Sequence, residues 1–527
     1  MAKRKTSTFQ PALEVATPAE PQATRAQLSS IIKSARDKMR KDAGLNGDLD
    51  RLPQLSWLLF LKCYDDLEQM REANAILSGK PYRPVIPAPY RWRDWAADPN
   101  MGRTGPELLD FVNNDLMPKL RGLNDSEEQL IIASLFRETF NRMLSGYLLR
   151  DLVNLIHGVN FSSRDEIFTL SHLYESMLKE MRDAAGDSGE FYTPRPVVKF
   201  MVDRVAPKLG ERMLDPACGT GGFLVESYEY MKGQRKTARD EARLQNETLF
   251  GIEKKPMPYL LGTMNLLLHG IERPNIRRGN ALEKPLKEIG EADRYNVIVT
   301  NPPFGGEEEP GIQLNFPEAT RASETALLFM QFIMRSLKAG GRCALVVPNG
   351  TLFGDGVAAR IKEHLIKNFD LHTIVRLPNG VFAPYTSIPT NLLFFDRTGP
   401  TTDIWYYEMT LPEGRKNYSK TKPQQFEEYA ECIAWWDAPQ RQENERAWKV
   451  AAVDVLKYNE DGELVSANLD IKNPNAQEDF EHLPPERLVA DITAKEKRIV
   501  EIMAEIEQVL AKADNDDGGL LNVRAFN

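Results

Sequence analysis

Hydrophobic positions follow two different patterns along the chain, and the first is helical. From about residue 25 to 160, apolar residues recur at steps of three and four, beginning with Leu28, Ile31, Ile32, Ala35 and Met39. A second dense run, Leu55 to Leu67, has the same spacing. Proline and glycine interrupt this pattern over 80–106, and it returns from about 107 to 159. We predict a helical N-terminal domain over 25–160, preceded by a disordered tail over 1–24.

Beyond residue 160, short apolar runs alternate with stretches long enough to hold a helix. Six runs predict buried strands: 211–215, 248–253, 295–300, 342–348, 371–378 and 390–396. This alternation predicts an α/β fold, with a Rossmann-like, doubly wound sheet over residues 161–400. Ligands of such sheets bind beyond the carboxyl ends of the strands, so unusual residues at those ends are the candidates for a site.

The remaining residues divide into an irregular C-terminal region, 401–482, and a long interaction helix with a tail, 483–527. Apolar residues of the helix alternate at three- and four-residue steps: Leu488, Ile492, Ile499, Ile502, Ile506 and Val509. Lys495 interrupts this seam. We expect a coiled-coil-like helix about 25 residues long. It packs on its own domain or on a partner, and we favour the partner.

Composition and charge narrow the class of protein. The hydrophobic fraction of 42% and the charged fraction of 27% are ordinary for a globular protein. No apolar stretch is long enough to span a membrane, and the N-terminus has no apolar signal core, so we expect a cytoplasmic protein. The four cysteines are too dispersed for a zinc site or a disulfide framework, so we expect no metal. A protein that binds DNA by itself through the phosphates is usually basic. The net charge of −9 therefore suggests that another chain would supply much of any contact with DNA.

Two interpretations are open for the aromatic and basic cluster Arg91, Trp92, Arg93 and Trp95. Such side chains stack on bases and pair with phosphates in nucleic-acid sites. They also pack loops onto a helical core, and we favour that interpretation.

A glycine-rich turn follows the first predicted strand. Asp215 ends that strand, and Gly219, Gly221 and Gly222 permit a tight turn into a helix and close approach of a ligand. The spacing is not G-x-G-x-x-G, which disfavours a dinucleotide. A plain tight turn is the alternative, but an acid at the strand end suits the cationic amino group of a ligand.

Three further positions precede or flank predicted strand ends. Glu253 ends the strand 248–253, where a carboxylate suits two ribose hydroxyls or is simply solvated. Asn280 precedes the strand 295–300 and is a candidate for binding an adenine, with a turn asparagine as the alternative. Thr193 is predicted as a helix N-cap with Pro194 in the first turn.

The sharpest motif is Asn301-Pro302-Pro303-Phe304, directly after the strand 295–300. Two consecutive prolines fix the backbone rigidly, while the Pro302 carbonyl and the Asn301 side-chain oxygen remain available as acceptors. Phe304 offers a flat face for stacking. A simple Asn-Pro turn is the alternative.

Taken together, the motifs DPACGTGGF (215–223) and NPPF (301–304) resemble those of amino-methyltransferases that act on adenine in DNA. The motif order is similar to their gamma arrangement, since GEFYTPR (189–195) comes first. Together with LKAGGRCALVVPNGTLFG and LPNGVFAPYTSIPTNLLFF, the chain resembles the modification subunit of Type I restriction-modification systems.

That resemblance implies a transfer of methyl from S-adenosylmethionine to the exocyclic amine of adenine. Two acceptors around the amine hydrogens free its lone pair for attack on the methyl group, without metal or covalent intermediate. It implies that Asn301, Pro302, Pro303 and Phe304 hold the target base. It also implies a set of cofactor-binding residues: Glu190, Phe191, Tyr192, Thr193, Pro194, Arg195, Asp215, Ala217, Gly219, Thr220, Gly221, Gly222, Glu253 and Asn280.

The resemblance further implies partners: double-stranded DNA, a second copy of the chain and one specificity subunit in an M2S1 assembly. A restriction and motor subunit is optional, and the chain lacks a Walker motif of its own. The acidic loop, residues 305–325, is expected to be mobile without DNA. Alternatives are a self-sufficient adenine methyltransferase, methylation of RNA or of a protein glutamine, and a non-catalytic scaffold.

Overall fold

The computed structural model describes residues 22–98, 102–159, 193–271, 273–383, 386, 388–419, 422–475, 493, 495–504 and 506. They fall into two units, Met1–Pro474 and Asn475–Asn527, each described by itself. The predicted disordered tail lies outside the described residues except at its end, where the first helix already begins at Gln22.

The N-terminal part of the first unit is helical, as the apolar spacing predicts. Its helices are α1 (Gln22–Met39), α2 (Asp48–Leu77), α3 (Trp92–Trp95), α4 (Gly105–Asp110), α5 (Met117–Arg121), α6 (Glu127–Phe136) and α7 (Gly146–His157), with a π-helical segment at Phe111–Leu116. Serine side chains cap two of them: Ser126 accepts from the Gln129 amide at 3.2 Å, and Ser145 accepts from the Leu148 amide at 3.3 Å. Both caps satisfy amide groups that the helix itself leaves unpaired.

The aromatic and basic cluster at α3 is part of the helical core. Trp92 and Trp95 are buried, so their faces are not available for stacking on bases. Arg93 donates to Asp65 at 2.9 Å and to Glu72 at 2.8 Å, both on α2. The packing interpretation is therefore the one that the structure supports.

A nine-stranded sheet forms the rest of the unit. Its strands are β1 (Met213–Asp215), β2 (Leu249–Glu253), β3 (Ile276–Arg278), β4 (Tyr295–Thr300), β5 (Leu337–Pro348), β6 (Asp370–Arg376), β7 (Thr390–Asp396), β8 (Asp403–Glu408) and β9 (Ala447–Ala451). A separate hairpin pairs β10 (Leu456–Tyr458) with β11 (Leu464–Ala467).

The strand order is β3-β2-β1-β4-β5-β7-β6-β8-β9. Strands β3, β2, β1, β4 and β5 are mutually parallel, and β7 runs antiparallel to both β5 and β6. The order reverses between β1 and β4, which is the switch point where such sheets bind ligands.

Helices cover both faces of this sheet, so the predicted doubly wound fold is confirmed. The helices of this part of the unit are α8 (Arg195–Val205), α9 (Gly222–Lys232), α10 (Ala238–Arg243), α11 (Pro256–Leu268), α12 (Pro310–Gln313), α13 (Thr325–Ser336), α14 (Val357–Asn368), α15 (Ala430–Trp436) and α16 (Ala452–Val455). Alternate residues of β4 enter different cores: Val297 and Val299 pack on the side of α8, and Ile298 packs on the side of α13.

Three strands of the sheet differ from the sequence prediction. β3 has only three residues, and two of them are arginines, so its apolar signal is weak. β8 and β9 lie in the stretch 401–482, which the sequence predicts as irregular, yet they extend the same sheet. Their buried positions are occupied by aromatic residues such as Tyr406 and Trp448. A long connection separates the two strands, so the regular alternation of strand and helix is lost here.

Side-chain contacts join the helical part to the β3 edge of the sheet. The Ser134 hydroxyl lies 2.7 Å from the Tyr259 hydroxyl, and Arg273 pairs with Glu128 at 2.6 Å. Arg278, at the end of β3, pairs with Glu138. The helical part is thereby fixed beside the strand end that precedes Asn280.

All four cysteines are buried free thiols. Burial raises the pKa of Cys63 and of Cys432 to about 12. Over the described part of the chain, no cluster of histidine, cysteine or acidic residues is arranged to hold a metal ion. Nor is any described helix both long and apolar enough to cross a lipid bilayer.

The second unit contributes helical residues 495–504 among those described. Apolar side chains of this helix are exposed within the unit: Ile499, Val500, Ile502, Met503 and Ile506. Leu488, Ile492 and Val509 of the predicted seam lie outside the described residues, and the length of the helix remains a prediction.

We expect Phe200→Ala to destabilise the first unit by about 3–5 kcal/mol, because Phe200 is fully buried. Its ring stacks on Tyr429 at 4.4 Å and meets Phe394 of β7 at 6.1 Å, so it joins α8 to the segment before α15. Thermal unfolding measures the effect, with Phe353→Ala as the exposed control. Equal melting temperatures for the two variants would contradict this packing.

Candidate functional site

A cavity lies at the carboxyl ends of β1 and β4, at the switch point of the sheet. Eight of the predicted site residues line it together: Thr193, Arg195, Asp215, Ala217, Gly219, Thr220, Gly222 and Asn301. Val198, Cys218 and Phe223 complete the lining. The cavity is therefore built from the entry of α8, the turn after β1 and the end of β4.

The turn between β1 and α9 depends on glycine at two positions. Gly219 and Gly221 have φ angles of 52° and 77°, a conformation that L side chains rarely adopt. A Cβ at Gly221 would lie 2.6 Å from the Leu266 side chain of α11, so this glycine permits helix packing rather than ligand approach. The Asn265 amide, also on α11, donates to the Thr220 carbonyl at 2.9 Å and holds the turn from below.

Glu253, at the end of β2, is tied to this turn. Its carboxylate accepts from the Gly219 amide at 2.9 Å and from the Lys255 amide at 2.7 Å. Burial raises the pKa of the Glu253 carboxyl despite these hydrogen bonds. The Glu253 carbonyl also accepts from the Gly279 amide at 2.9 Å, which brings the β3 end and Asn280 alongside.

Asp215 is a buried acid at the end of β1, 1% exposed. Its carboxylate accepts from the Thr300 hydroxyl at 2.7 Å and from the Ala217 amide at 3.2 Å. Burial nevertheless raises the pKa of Asp215 to about 7, and the neighbouring Glu253 adds to the rise. Such an acid favours a cationic partner, because a positive charge restores the stability of the ionised form. Thr300 was not among the predicted site residues. Its position could have indicated a role, because it is a polar residue at the end of an otherwise apolar strand.

Asn280 lies just beyond β3 in a turn that it closes itself. Its side-chain oxygen accepts from the Leu282 amide at 2.9 Å, and its side-chain nitrogen donates to Glu308 at 3.2 Å. Asn280 does not line this cavity, but the Gly279 hydrogen bond places it next to Glu253.

The entry of α8 corrects one local prediction. The helix begins at Arg195 with Pro194 at the N-cap, and Thr193 is not its cap. Instead the Thr193 hydroxyl accepts from the Asn301 side chain at 3.0 Å. The Arg195 guanidinium donates to the Gly222 carbonyl at 3.1 Å, and burial lowers its pKa to about 10. Glu190, Phe191 and Tyr192 lie outside the described residues.

The Asn301–Phe304 segment leaves β4 at the rim of the cavity. With its nitrogen bonded to Thr193, the Asn301 amide points its oxygen Oδ1 into a buried position where no described residue donates to it. Pro302 is buried, and the Phe304 ring meets Phe382 edge-on at 5.7 Å. Phe382 belongs to the LPNGVFAPYT stretch, to which the sequence analysis assigned no role.

The acidic loop has a defined path. Glu307 and Glu324 form an antiparallel bridge at its neck, and the Thr325 amide donates to the Gly306 carbonyl at 3.2 Å. At its far end, Asn315 donates to the carbonyls of Leu282 and Glu283. Its mobility without DNA remains a prediction.

Comparison with known proteins assigns the chain to a family. Residues 165–482 match the N-6 DNA methylase family, and residues 28–156 match the HsdM N-terminal domain. The EcoEI methylase subunit of a Type I restriction enzyme from Escherichia coli is 47% identical over 497 residues, covering 92% of this chain and 98% of the relative. The chain belongs to the methylase subunits of Type I restriction enzymes.

Two solved structures resemble the whole architecture of this methylase subunit. A modification subunit from Vibrio vulnificus YJ016 shares 58% sequence identity with a TM-score of 0.81, covering 88% of this chain and all of that one. A chain from work on complex assembly and conformational transition of the type I R-M system shares 42% identity with a TM-score of 0.76, covering 93% and 99%. The predicted family and fold are both confirmed.

We expect Asp215→Asn to stabilise the ligand-free methylase subunit at pH 8 and to lose that advantage as the pH falls. The pKa of the folded Asp215 is about 7 against an ordinary value of 3.8, so ionising it opposes folding above that ordinary value. The asparagine oxygen still accepts from Thr300 and Ala217. The gain in melting temperature is full above pH 7 and vanishes towards pH 4. The exposed Asp454→Asn variant is the control, and a gain independent of pH would contradict the argument.

Proposed function

We propose that this methylase subunit transfers a methyl group from S-adenosylmethionine to the N6 amine of adenine in DNA. The family places the chain among adenine-specific methyltransferases, and the cavity lies where Rossmann-like sheets bind their ligands. The reaction supports protection of host DNA by a Type I restriction-modification complex.

The residues around the cavity fit the cofactor. Bound S-adenosylmethionine supplies a methyl group on a positively charged sulfur and carries a cationic amino group. Asp215 and Glu253 are buried acids, and burial raises the pKa of both carboxyls. We assign Asp215 to the amino group and Glu253 to the ribose hydroxyls, each of its oxygens accepting one further hydrogen bond beyond its backbone amide. Arg195 and the turn from Ala217 to Gly222 shape the wall.

The observation that carries the proposal is the unpartnered Asn301 oxygen. A buried carbonyl oxygen without a donor costs about 1–3 kcal/mol, so a ligand that donates at that position is favoured. An adenine amine provides one, and the Pro302 carbonyl provides the second acceptor around the same nitrogen. Thr193 holds the Asn301 amide with its oxygen free for the base. Phe304 offers the stacking face, and positioning rather than proton transfer drives the reaction.

Partners follow from the same assignment. The methylase subunits of this family belong to type I restriction enzymes, and the chain of the R-M study is a close structural match. We propose that two copies bind one specificity subunit, which reads the target in double-stranded DNA. A restriction subunit joins this assembly for cleavage. The acidic net charge of −9 is consistent with delegation of much of the DNA contact.

Asn301→Ala should lower methyl transfer at least about 100-fold, because it removes one of two acceptors that act on the amine. Binding of S-adenosylmethionine, measured by calorimetry, should stay within about twofold. Asn246→Ala, at an exposed position between α10 and β2, is the matched control and should retain activity. A wild-type transfer rate in Asn301→Ala would exclude Asn301 from the reaction.

A transfer assay with labelled S-adenosylmethionine separates the two remaining forms of the proposal. The substrate is genomic DNA that lacks the modification, and the chain is assayed alone and with its specificity subunit. We expect label on adenine only in the mixture. Sequence-specific label from the chain alone would instead identify a self-sufficient methyltransferase.

A further inference from the structure

One carboxylate of the acidic loop is turned inward. Glu307, Glu308 and Glu309 are consecutive, and only the Glu308 side chain is largely buried, at 10% exposure. Its backbone is held at the neck of the loop, since the Glu308 amide donates to the Ser323 carbonyl at 3.0 Å. The position of this carboxylate is therefore set by the segment that follows Asn301–Phe304.

The Glu308 carboxylate contacts the ends of two other strands. It accepts from the Asn280 side-chain nitrogen at 3.2 Å and pairs with Lys254 at 3.3 Å. Lys254 directly follows Glu253 of β2, and Asn280 follows β3. One side chain thus joins the loop after β4 to both strand ends beside the proposed ribose site. Asn315 of the same loop donates to the Leu282 and Glu283 carbonyls, which is a second contact between the loop and the turn that contains Asn280.

These contacts fix which way the Asn280 amide faces. Its nitrogen points to a carboxylate that only accepts, and its oxygen points to the Leu282 amide, which only donates. Rotating the amide by half a turn would set oxygen against carboxylate and NH₂ against an N–H group. Both mismatches are costly in a half-buried setting, so one orientation is enforced.

We propose that Glu308 is a positioning residue that makes the Asn280 amide selective for adenine, over hypoxanthine, in the bound cofactor. This inference rests on the proposed function and deepens it. Adenine presents an amino donor beside a ring acceptor, and hypoxanthine presents a carbonyl acceptor beside a ring donor. The fixed amide keeps one hydrogen and one lone pair for the base, and they complement adenine. An amide that rotates freely suits either base, so selectivity depends on the residue that prevents rotation.

The test compares dissociation constants for S-adenosylhomocysteine and S-inosylhomocysteine, measured by calorimetry on the full chain. The two ligands differ only at the base, so a general weakening of the site changes both constants and leaves their ratio unchanged. We expect the wild type to prefer the adenine ligand about 30-fold or more. The preference should fall severalfold in Glu308→Gln, whose amide rotates to suit Asn280, and about tenfold in Glu308→Ala.

Two variants serve as controls. Glu309→Gln removes the adjacent exposed charge and should leave the ratio unchanged. Lys254→Met removes the ion pair without touching Asn280, and it should also preserve the ratio even if both constants rise. Should Glu308→Ala fail to fold by thermal unfolding, Glu308→Gln decides the question.

An unchanged ratio in the folded Glu308 variants would overturn the inference, as would a wild type with no preference between the ligands. A wild type that binds neither ligand would overturn the proposed function itself. The two failures are therefore distinguishable.

Discussion

The hydrogen bond from the Gly219 amide to the Glu253 carboxylate is the contact on which the site depends. It joins the turn after β1 to the end of β2, and the Glu253 carbonyl then holds the β3 end through Gly279. Thr300 joins β4 to β1 through Asp215. Four parallel strands thus end in one hydrogen-bonded rim, and the cavity lies at the part of this rim that β1 and β4 form.

The buried acids of the rim lower the stability of the ligand-free protein, and this favours ligand binding. Asp215 and Glu253 are both buried, which opposes the ionisation of each, and the Glu253 charge further raises the pKa of Asp215. A protein selected for stability alone would place neutral side chains there. Two buried acids and an amide oxygen without a donor lie close together here. A ligand that is cationic and donates hydrogen bonds therefore stabilises this part of the protein. Affinity and selectivity both draw on this local instability.

Sequence reasoning located most of this site because chemistry-bearing residues at parallel strand ends converge whatever the loops do. Asp215, Glu253 and Asn301 were found in this way, and their convergence follows from the strand order. Thr193 was given a helix-capping role because its true partner, Asn301, is 108 residues away. Strands β3, β8 and β9 were not predicted, because short or aromatic strands show little alternation of polar and apolar residues. Glu308 is not distinguished by the sequence, since three consecutive glutamates do not show which of them turns inward.

The buried thiols have a practical consequence for site-specific labelling. Alkylating probes react with thiolates, and all four native cysteines are buried with a raised pKa. A cysteine introduced at an exposed position, such as Leu77 at the end of α2, would therefore be labelled nearly alone. A second one at Phe353, an exposed residue that follows β5, would give a fluorescent pair without first removing native residues. Distances between the helical part and the sheet then become measurable in the assembled complex, on DNA and off it.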